Sequence, residues 1–458
     1  MAGDSDNDND NKTDSPVRRS LERGFANIIS PFQSFVRDQA TASMILIVCT
    51  AVALVLANSP LAHWYESLVD THTGVVFGDW SWEKSLRHWI NDGLMSIFFF
   101  VLGLEIKREI LAGDLKDRER SIPVMAAALG GMLLPAAIYY AFNAGSPGVH
   151  GWGIPMATDT AFAVGILALL GKRIPSALTV FLTALAIIDD LGAIMVIAVF
   201  YTENISVPHL ELAGLLLAVL IVCNAVGIRH PSVYFLVGGL VWLAMLGSGV
   251  HATVAGILVA FTTPARPQHG KRWFLRRTRE LANELEAIEE NARRANSILA
   301  EPDQHKVVER VEETAARTTT PLQRWERALT HPVSLFVLPI FALANAGVAI
   351  GVDTLPALFD DPVIVGIVLG LLLGKSVGIT FACWLALRLG LGRLPGDMQM
   401  HHVLGVAMLG GMGFTMSIFI AGLSFGDSPA MLVAAKTAIL LASLLSGLGG
   451  YLWLRLRG

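Results

Sequence analysis

Apolar residues run through this chain in stretches, most of about twenty, long enough as a helix to cross the roughly 30 Å hydrocarbon core of a bilayer. The stretches begin near residues 41, 90, 122, 155, 176, 209, 232, 249, 332, 362, 402 and 430. This pattern predicts an all-α polytopic membrane protein with about twelve transmembrane helices. The fourth and eighth stretches are short. Two further elements break the pattern. THTGVVFGDWSWEK, in the first outer loop, holds two β-rich runs around Gly78-Asp79 and predicts a small hairpin over 72–84. An isolated hairpin is barely stable in water, so it is expected to pair with something, a second subunit being one candidate. Residues 266–330 are charged, with Leu281, Leu285, Ile288, Ala292, Ala295 and Leu299 spaced as a seam. That predicts a helical cytoplasmic insert, either an amphipathic helix on the membrane face or a regulatory coiled coil. The chain thus divides into a tail (1–30), spans one to eight (31–265), the insert (266–330) and spans nine to twelve (331–458).

Charge fixes the predicted orientation. Alternate loops carry Lys107, Arg108, Lys116, Arg118 and Arg120, then Lys172 and Arg173, Arg229, and later Arg388 and Arg393, with Arg455 and Arg457 at the C-terminus. The loops Asn143–Met156, Thr202–Glu211, Gly351–Asp361 and Gly426–Pro429 contain no Lys or Arg. The positive-inside bias therefore predicts that both termini are cytoplasmic. Composition agrees with the class: mean hydropathy is +0.56 and charged residues are 16%, against about 25% in soluble proteins. The three cysteines, Cys49, Cys223 and Cys383, lie in apolar runs and read as small hydrophobes. The acidic, polar start is the opposite of a signal peptide and is expected to be a disordered cytoplasmic tail.

Within this apolar background a few charges stand out. Asp189 and Asp190 sit midway along the run Thr179–Val199. A charged Asp at the bilayer midplane costs about 3 kcal/mol, so such a pair marks an ion or proton path. Neighbouring helix positions point about 100° apart, which predicts different roles for the two acids. Asp159, beside Thr158, lies in a stretch interrupted by Gly151, Gly153 and Pro155. Hydroxyl, carbonyl and carboxylate oxygens there are hard ligands suited to a cation such as Na+. Lys375 lies near the middle of its own span and calls for one acid of the central pair as counter-ion. A purely structural salt bridge is the alternative. Gly405, Gly410, Gly411 and Gly413 weaken the eleventh span ahead of Thr415 and Ser417. Spans three to five and ten to twelve are offset by an odd number, so they run oppositely, and spans four and eleven are the interrupted members of each. Two discontinuous helices in inverted repeats point to a transport site at their crossing. Glu105, Arg108 and Glu109 share a helical face at the inner end of span two, either as a solvated end or as a charge network responding to pH. His251 reads as structural, Asp92 as hydrated, and Lys436 as snorkelling or paired. No phosphate loop, metal-ligand cluster or nucleophile–base arrangement is present, so neither an ATPase nor an enzyme is indicated, and no cofactor or nucleic-acid partner is expected.

Eight motifs together carry a resemblance: WIND at 89–92, GLEIKRE at 103–109, ATDTAFA at 157–163, ALAIIDDLGA at 184–193, SGVHAT at 248–253, FALANAGV at 341–348, GLLLGK at 370–375 and GFTMSIFI at 413–420. Over roughly 30–265 and 325–458 the chain resembles the NhaA family of bacterial sodium/proton antiporters. The resemblance implies the inverted-repeat architecture of which that family is a known example. It also implies residue roles. Asp190 would be the main Na+ and H+ carboxylate, with Asp189 beside it salt-bridged to Lys375. Asp159, with Thr158, would compensate the helix ends at the break of span four. Glu105, Arg108 and Glu109 would form the pH-response cluster. The implied activity is pH-regulated, electrogenic export of Na+ or Li+ for external H+ across the bacterial inner membrane, by a lipid-embedded homodimer joined through the outer hairpin. The expanded insert and long tail depart from the family pattern. Two other readings stay open: a sodium-coupled organic-anion symporter on a related fold, and a non-transporting scaffold worked by its insert.

Overall fold

A computed structural model describes residues 39–77, 80–113, 118–171, 174–202, 205–295, 302–349 and 360–457. The tail 1–30, the tip of the outer hairpin and part of the insert seam lie outside them. Among the described residues the chain is almost wholly helical. Seven helices are long and apolar enough to cross a membrane, or up to nine if each bent pair is one span.

In chain order, α1 (Gln39–Ala57) turns by 117° into α2 (Ala62–Val69). The strands β1 (His72–Phe77) and β2 (Trp80–Ser85) then pair antiparallel, with His72 opposite Ser85 and Phe77 opposite Trp80. A π-helical turn, Trp89–Leu94, leads into α3 (Met95–Ala112), followed by α4 (Arg118–Asn143). A 3-10 segment, Pro147–Met156, and an extended stretch at 157–159 precede α5 (Thr160–Leu170). The chain continues through α6 (Ser176–Phe200), α7 (Val207–Val226), α8 (Pro231–Leu246) and α9 (Val254–Thr262). Three polar helices follow: α10 (Lys271–Ala295), α11 (Pro302–Thr318) and α12 (Pro321–Pro332). The last of these passes without a break through a π turn, Val333–Val337, into α13 (Leu338–Asn345). The insert therefore ends in the same continuous helix as the ninth span. A further π turn, Gly370–Gly374, joins α14 (Pro362–Leu369) to α15 (Lys375–Arg388). Then come α16 (Met400–Gly410), bent by 44° from α17 (Phe414–Phe425), and the long α18 (Pro429–Arg457).

Local chemistry starts and stops these helices. Pro321 follows Thr320, whose hydroxyl accepts from Gln323 N–H at 3.2 Å; Pro362 follows Asp361, whose carboxylate accepts from Val363 N–H at 2.8 Å. Gly227, at φ +89°, ends α7 in the left-handed conformation that a side chain resists, while Ile228 N–H returns to Cys223 O at 2.9 Å.

Glycine also sets the tightest packing. A Cβ on Gly378 of α15 would lie 2.8 Å from the carbonyl carbon of Gly130 on α4, so these two backbones meet directly. Gly370 and Gly374 likewise admit Pro155 and Pro135. Those approaches hold the π turn before Lys375 against the 3-10 segment that leads to Thr158 and Asp159. Asp92 is not merely hydrated: His88, one turn earlier, places Nε2 3.1 Å from its Oδ2.

Candidate functional site

The two interrupted segments cross and are bonded to each other. Asp159 N–H donates to Met412 O at 2.6 Å, and Thr158 Oγ1 lies 2.9 Å from Gly410 O, a carbonyl left over at the end of α16. The Asp159 carboxylate then serves two helix N-termini at once. Oδ1 accepts from Phe162 N–H at 3.1 Å, capping α5. Oδ2 accepts from Thr415 N–H at 2.9 Å and from Thr415 Oγ1–H at 2.6 Å, in the first turn of α17. Unpaired N–H groups and the positive ends of two helix dipoles thus converge on one buried negative charge. Three protein donors therefore hold the Asp159 carboxylate.

Asp189 and Asp190 come from the middle of α6, and both are buried. Lys375 opens α15 immediately after its π turn, and its Nζ donates to Asp189 Oδ2 at 2.5 Å and to Thr158 Oγ1 at 3.0 Å. Thr158 Oγ1 also lies 2.8 Å from Asp189 Oδ2. The single hydroxyl proton therefore has two acceptors, Asp189 Oδ2 and Gly410 O, and satisfies one at a time. The pair is asymmetric. Asp189 is bonded to an ammonium and a hydroxyl, whereas Asp190 Oδ1 is buried with no hydrogen-bond partner among the described residues. Asp189 Oδ1 is unpartnered in the same way. Orphaned carboxylate oxygens in so apolar a setting call for a proton or a cation.

Beyond Asp190 on the same face of α6, Ile194 and Ile197 close against Phe99, Thr253, Val254 and Ile257 in a small apolar pocket. Phe99 packs in turn at a tilt against Phe419, whose ring also meets His251. His251 itself bonds Thr253 Oγ1 at 2.9 Å. The acid pair is thus separated by packed side chains from the end of the bundle where β1 and β2 lie.

The charge cluster on α3 is bonded to α12. Arg108 Nε donates to Glu326 Oε1 at 2.8 Å, and Arg108 lies 3.4 Å from Glu109, which is buried. Glu326 was not singled out from the sequence, because it falls in the charged stretch read as an insert; its place on α12, continuous with the ninth span, brings it to α3. Glu105 makes no ion pair among the described residues. Lys107 reaches a different partner, the C-terminal end of α9, donating to Phe261 O and Thr263 O at 2.6 Å each. Thr158, Asp159, Asp189, Asp190 and Lys375 are therefore brought together, and Glu105, Arg108 and Glu109 form a second location with Glu326.

A family model described as Na+/H+ antiporter 1 matches residues 33–454. The chain is similar to the Na(+)/H(+) antiporter NhaA 1 of Saccharophagus degradans, 48% identical over 437 residues that cover 95% of this chain and 94% of that one. It is also similar to the Na(+)/H(+) antiporter NhaA of Sulfurimonas denitrificans, 45% identical over 434 residues, 95% of this chain and 97% of that one. Among solved structures, the sodium proton antiporter MjNhaP1 of Methanocaldococcus jannaschii aligns with a TM-score of 0.47 at 13% identity, covering 93% of this chain and 98% of that one.

Proposed function

The chain belongs to the Na+/H+ antiporter 1 family, whose relatives are named NhaA, and on that premise we propose that it exports Na+ or Li+ in exchange for external H+, with Asp190 as the exchanging carboxylate. It is a secondary transporter rather than an enzyme, and Na+ and H+ are its substrates. The observation that carries the site assignment is the asymmetry of the acid pair: Asp189 is committed to Lys375 and Thr158, while Asp190 Oδ1 is buried and unpartnered.

The mechanism is competition. A buried carboxylate without a fixed partner is stable only when it carries a proton or a cation, so the two ligands exclude one another at Asp190. A cation entering from the cytoplasm releases the proton, and the loaded site then turns outward as one bundle rocks against the other. Opening on the far side parts the apolar seal of Phe99, Ile194, Ile197 and Ile257. Release of a second proton, with Asp189, Thr158 and Lys375 rearranging, makes the exchange electrogenic.

The remaining features fit this reading. Each of the twelve apolar stretches holds a helix, which supports twelve spans with both termini cytoplasmic in a bacterial inner membrane. The breaks at 157–159 and 411–413 support two discontinuous helices in inverted repeats. An isolated two-stranded sheet is marginal in water, which supports a homodimer joined through 72–84. The Arg108–Glu109–Glu326 contacts support a charge network, reaching Glu105, that tunes the exchanger with cytoplasmic pH.

Proton flux in everted vesicles from a host lacking sodium/proton exchange tests the reading. Added Na+ or Li+ is expected to collapse a preformed proton gradient. The apparent affinity should rise about tenfold per pH unit while one proton is displaced, and more steeply when two are. Asp190→Asn, inserted at normal abundance, should abolish the response. Normal exchange by that variant would remove Asp190 from the mechanism.

A further inference from the structure

The polar helices α10 and α11 begin and end where two apolar segments stop, and their charges are sorted along the chain. Just past α9, Pro264 O accepts from Leu322 N–H at 3.2 Å, and Leu322 is buried with Leu104 and Ala260. α12, which Pro321 opens, continues into an apolar helix long enough to cross a membrane. Gln268 and His269, just before α10, donate their backbone N–H groups to Arg317 O near the end of α11, at 3.0 and 3.2 Å, so the two helices run antiparallel. The start of α10 and the end of α11 therefore form a foot a few residues from the bilayer. Over 264–279 that foot carries Arg266, Lys271, Arg272, Arg276, Arg277 and Arg279 and no acid. Residues 280–313 then carry ten acids against four basic residues, Arg293, Arg294, Lys306 and Arg310.

The phase of α10 shows which of these cations lack a partner. Leu281 and Val307 are buried between the two helices, so Leu281 points at α11. At about 100° per residue, Arg272, Arg276 and Arg279 then lie within about 60° of one another, on the side turned away from α11. All three are exposed, and none makes an ion pair among the described residues. The nearest acids are taken: Glu280 by Arg277 at 2.7 Å, and Glu284 by Arg310 at 2.6 Å. Spaced i, i+4 and i+7, three like charges weaken the helix that carries them, so the stability of α10 does not explain their place. Leu275, about 40° from Arg279, is 57% exposed at the same level.

We propose that this foot holds the headgroup phosphates of anionic phospholipid, with Arg272, Arg276 and Arg279 gripping them and Leu275 dipping into the interface between them. Cations directly outside a membrane span meet phosphate at high density, and a guanidinium matches a phosphate oxygen pair through two parallel N–H bonds. An exposed leucine among the cations suits a surface with an apolar interior, which a soluble polyanion lacks. The same surface repels the acidic remainder of the hairpin, so α10 is held at its foot and lifted beyond residue 279. Nothing in this contact involves the acid pair.

Nitroxide labels on the full chain in lipid nanodiscs test this, at Leu275→Cys and, separately, at Glu312→Cys, with Cys49, Cys223 and Cys383 replaced by Ala. Collision with oxygen, which concentrates in lipid, is compared with collision with a water-soluble nickel chelate. In discs containing phosphatidylglycerol, position 275 should be shielded from nickel and open to oxygen; in pure phosphatidylcholine it should be aqueous. Position 312 should be aqueous in both. Each cation near an anionic surface is worth about fivefold in partitioning, so reversing Arg272, Arg276 and Arg279 to Glu should return position 275 to its aqueous value in phosphatidylglycerol. Raising KCl to about 0.5 M should do the same by screening. Equal accessibility of position 275 in the two lipids overturns the proposal without any charge variant. Shielding that survives the charge reversal also overturns it, because apolar contact alone then suffices. Shielding of position 312 together with 275 lays the whole hairpin flat and overturns the division at residue 279. Shielding that inorganic phosphate produces in phosphatidylcholine assigns the cations to a soluble anion. Shielding that follows the number of chains per disc rather than lipid charge assigns the foot to a second copy. Either of these results overturns the proposal as well.

Discussion

The Lys375–Asp189 contact makes a sharp energetic prediction because both side chains are fully buried and the bond is 2.5 Å. Removing one partner of a buried ion pair typically costs about 3–5 kcal/mol, since the other charge is stranded in low dielectric. Lys375→Met leaves Asp189 with the Thr158 hydroxyl alone, and that hydroxyl must then abandon Gly410 O. Asp189→Asn leaves an ammonium facing an amide oxygen and Thr158 Oγ1 at 3.0 Å. Each single variant should therefore lose about 3–5 kcal/mol of unfolding free energy. The double variant removes both charges and keeps most of the side-chain volume, so it should be more stable than the sum of the two losses by about 3 kcal/mol or more. Reversible denaturant unfolding of the four purified proteins in one detergent, followed by tryptophan fluorescence, closes the cycle. Additivity within about 0.5 kcal/mol would refute the reasoning, because independent sites add and a bonded buried pair does not. A small loss for Asp189→Asn alone has a separate signature. It would mean that Lys375 has moved to Asp190, and Asp190→Asn would then become destabilising only in the Asp189→Asn background.

Four further outcomes rest on local geometry. Thr415→Val keeps the shape but removes the 2.6 Å hydroxyl bond to Asp159, so thermal unfolding should show a loss of about 1.5–3 kcal/mol that Thr415→Ser recovers. Gly378→Ala drives a methyl to 2.8 Å from the Gly130 carbonyl carbon and 3.2 Å from Leu134 Cβ, which should cost about 1–3 kcal/mol. Gly422→Ala, with nothing within 4 Å, should be neutral or slightly stabilising in the same unfolding assay. Lys107→Met deprives Phe261 O and Thr263 O of their donor and should cost about 1–2 kcal/mol, seen as faster amide exchange at the end of α9.

Much of the architecture was legible because the bilayer imposes length. A run of about twenty apolar residues has few folded options, and an Asp or Lys inside it has none that ignore charge. Most of what was not legible depends on contacts between residues far apart in sequence. Thr158 and Asp159 announced themselves as oxygen ligands, but Asp159 spends its carboxylate on two helix starts, one of them 256 residues away at Thr415. The residue types alone asked only for one acid of the pair beside Lys375; the phase of α6 against α15 selects Asp189. Glu326 was hidden because it falls in the stretch read as a helical cytoplasmic insert, while Pro321 behind Thr320 starts a helix that continues into the ninth span. The His88–Asp92 pair was within reach, since i and i+4 are helical neighbours, and was passed over because both lie near the outer boundary.

The five polar side chains at the crossing differ in how many donors hold them. Asp159 is fixed by three donors from two helix starts, and moving a charge onto or off it would unmake both caps. Lys375 is fixed between Asp189 and Thr158. Thr158 has one proton and two acceptors, so its hydroxyl turns toward Asp189 or toward Gly410 O with no change elsewhere in the backbone. Asp189 and Asp190 each keep one buried oxygen that no described residue completes, and Asp190 lacks the Lys375 bond that holds its neighbour. A ligand arriving at Asp190 therefore meets a site in which one neighbour is immobile, one is bonded and one rotates about a single torsion. The rotation of Thr158 links the load on the acid pair to the end of α16, the half-helix that borders the break at 411–413. That link gives Thr158→Val a distinct expectation from Thr158→Ser: without the hydroxyl the Asp189–Lys375 bond persists, while Gly410 O is orphaned whatever the load.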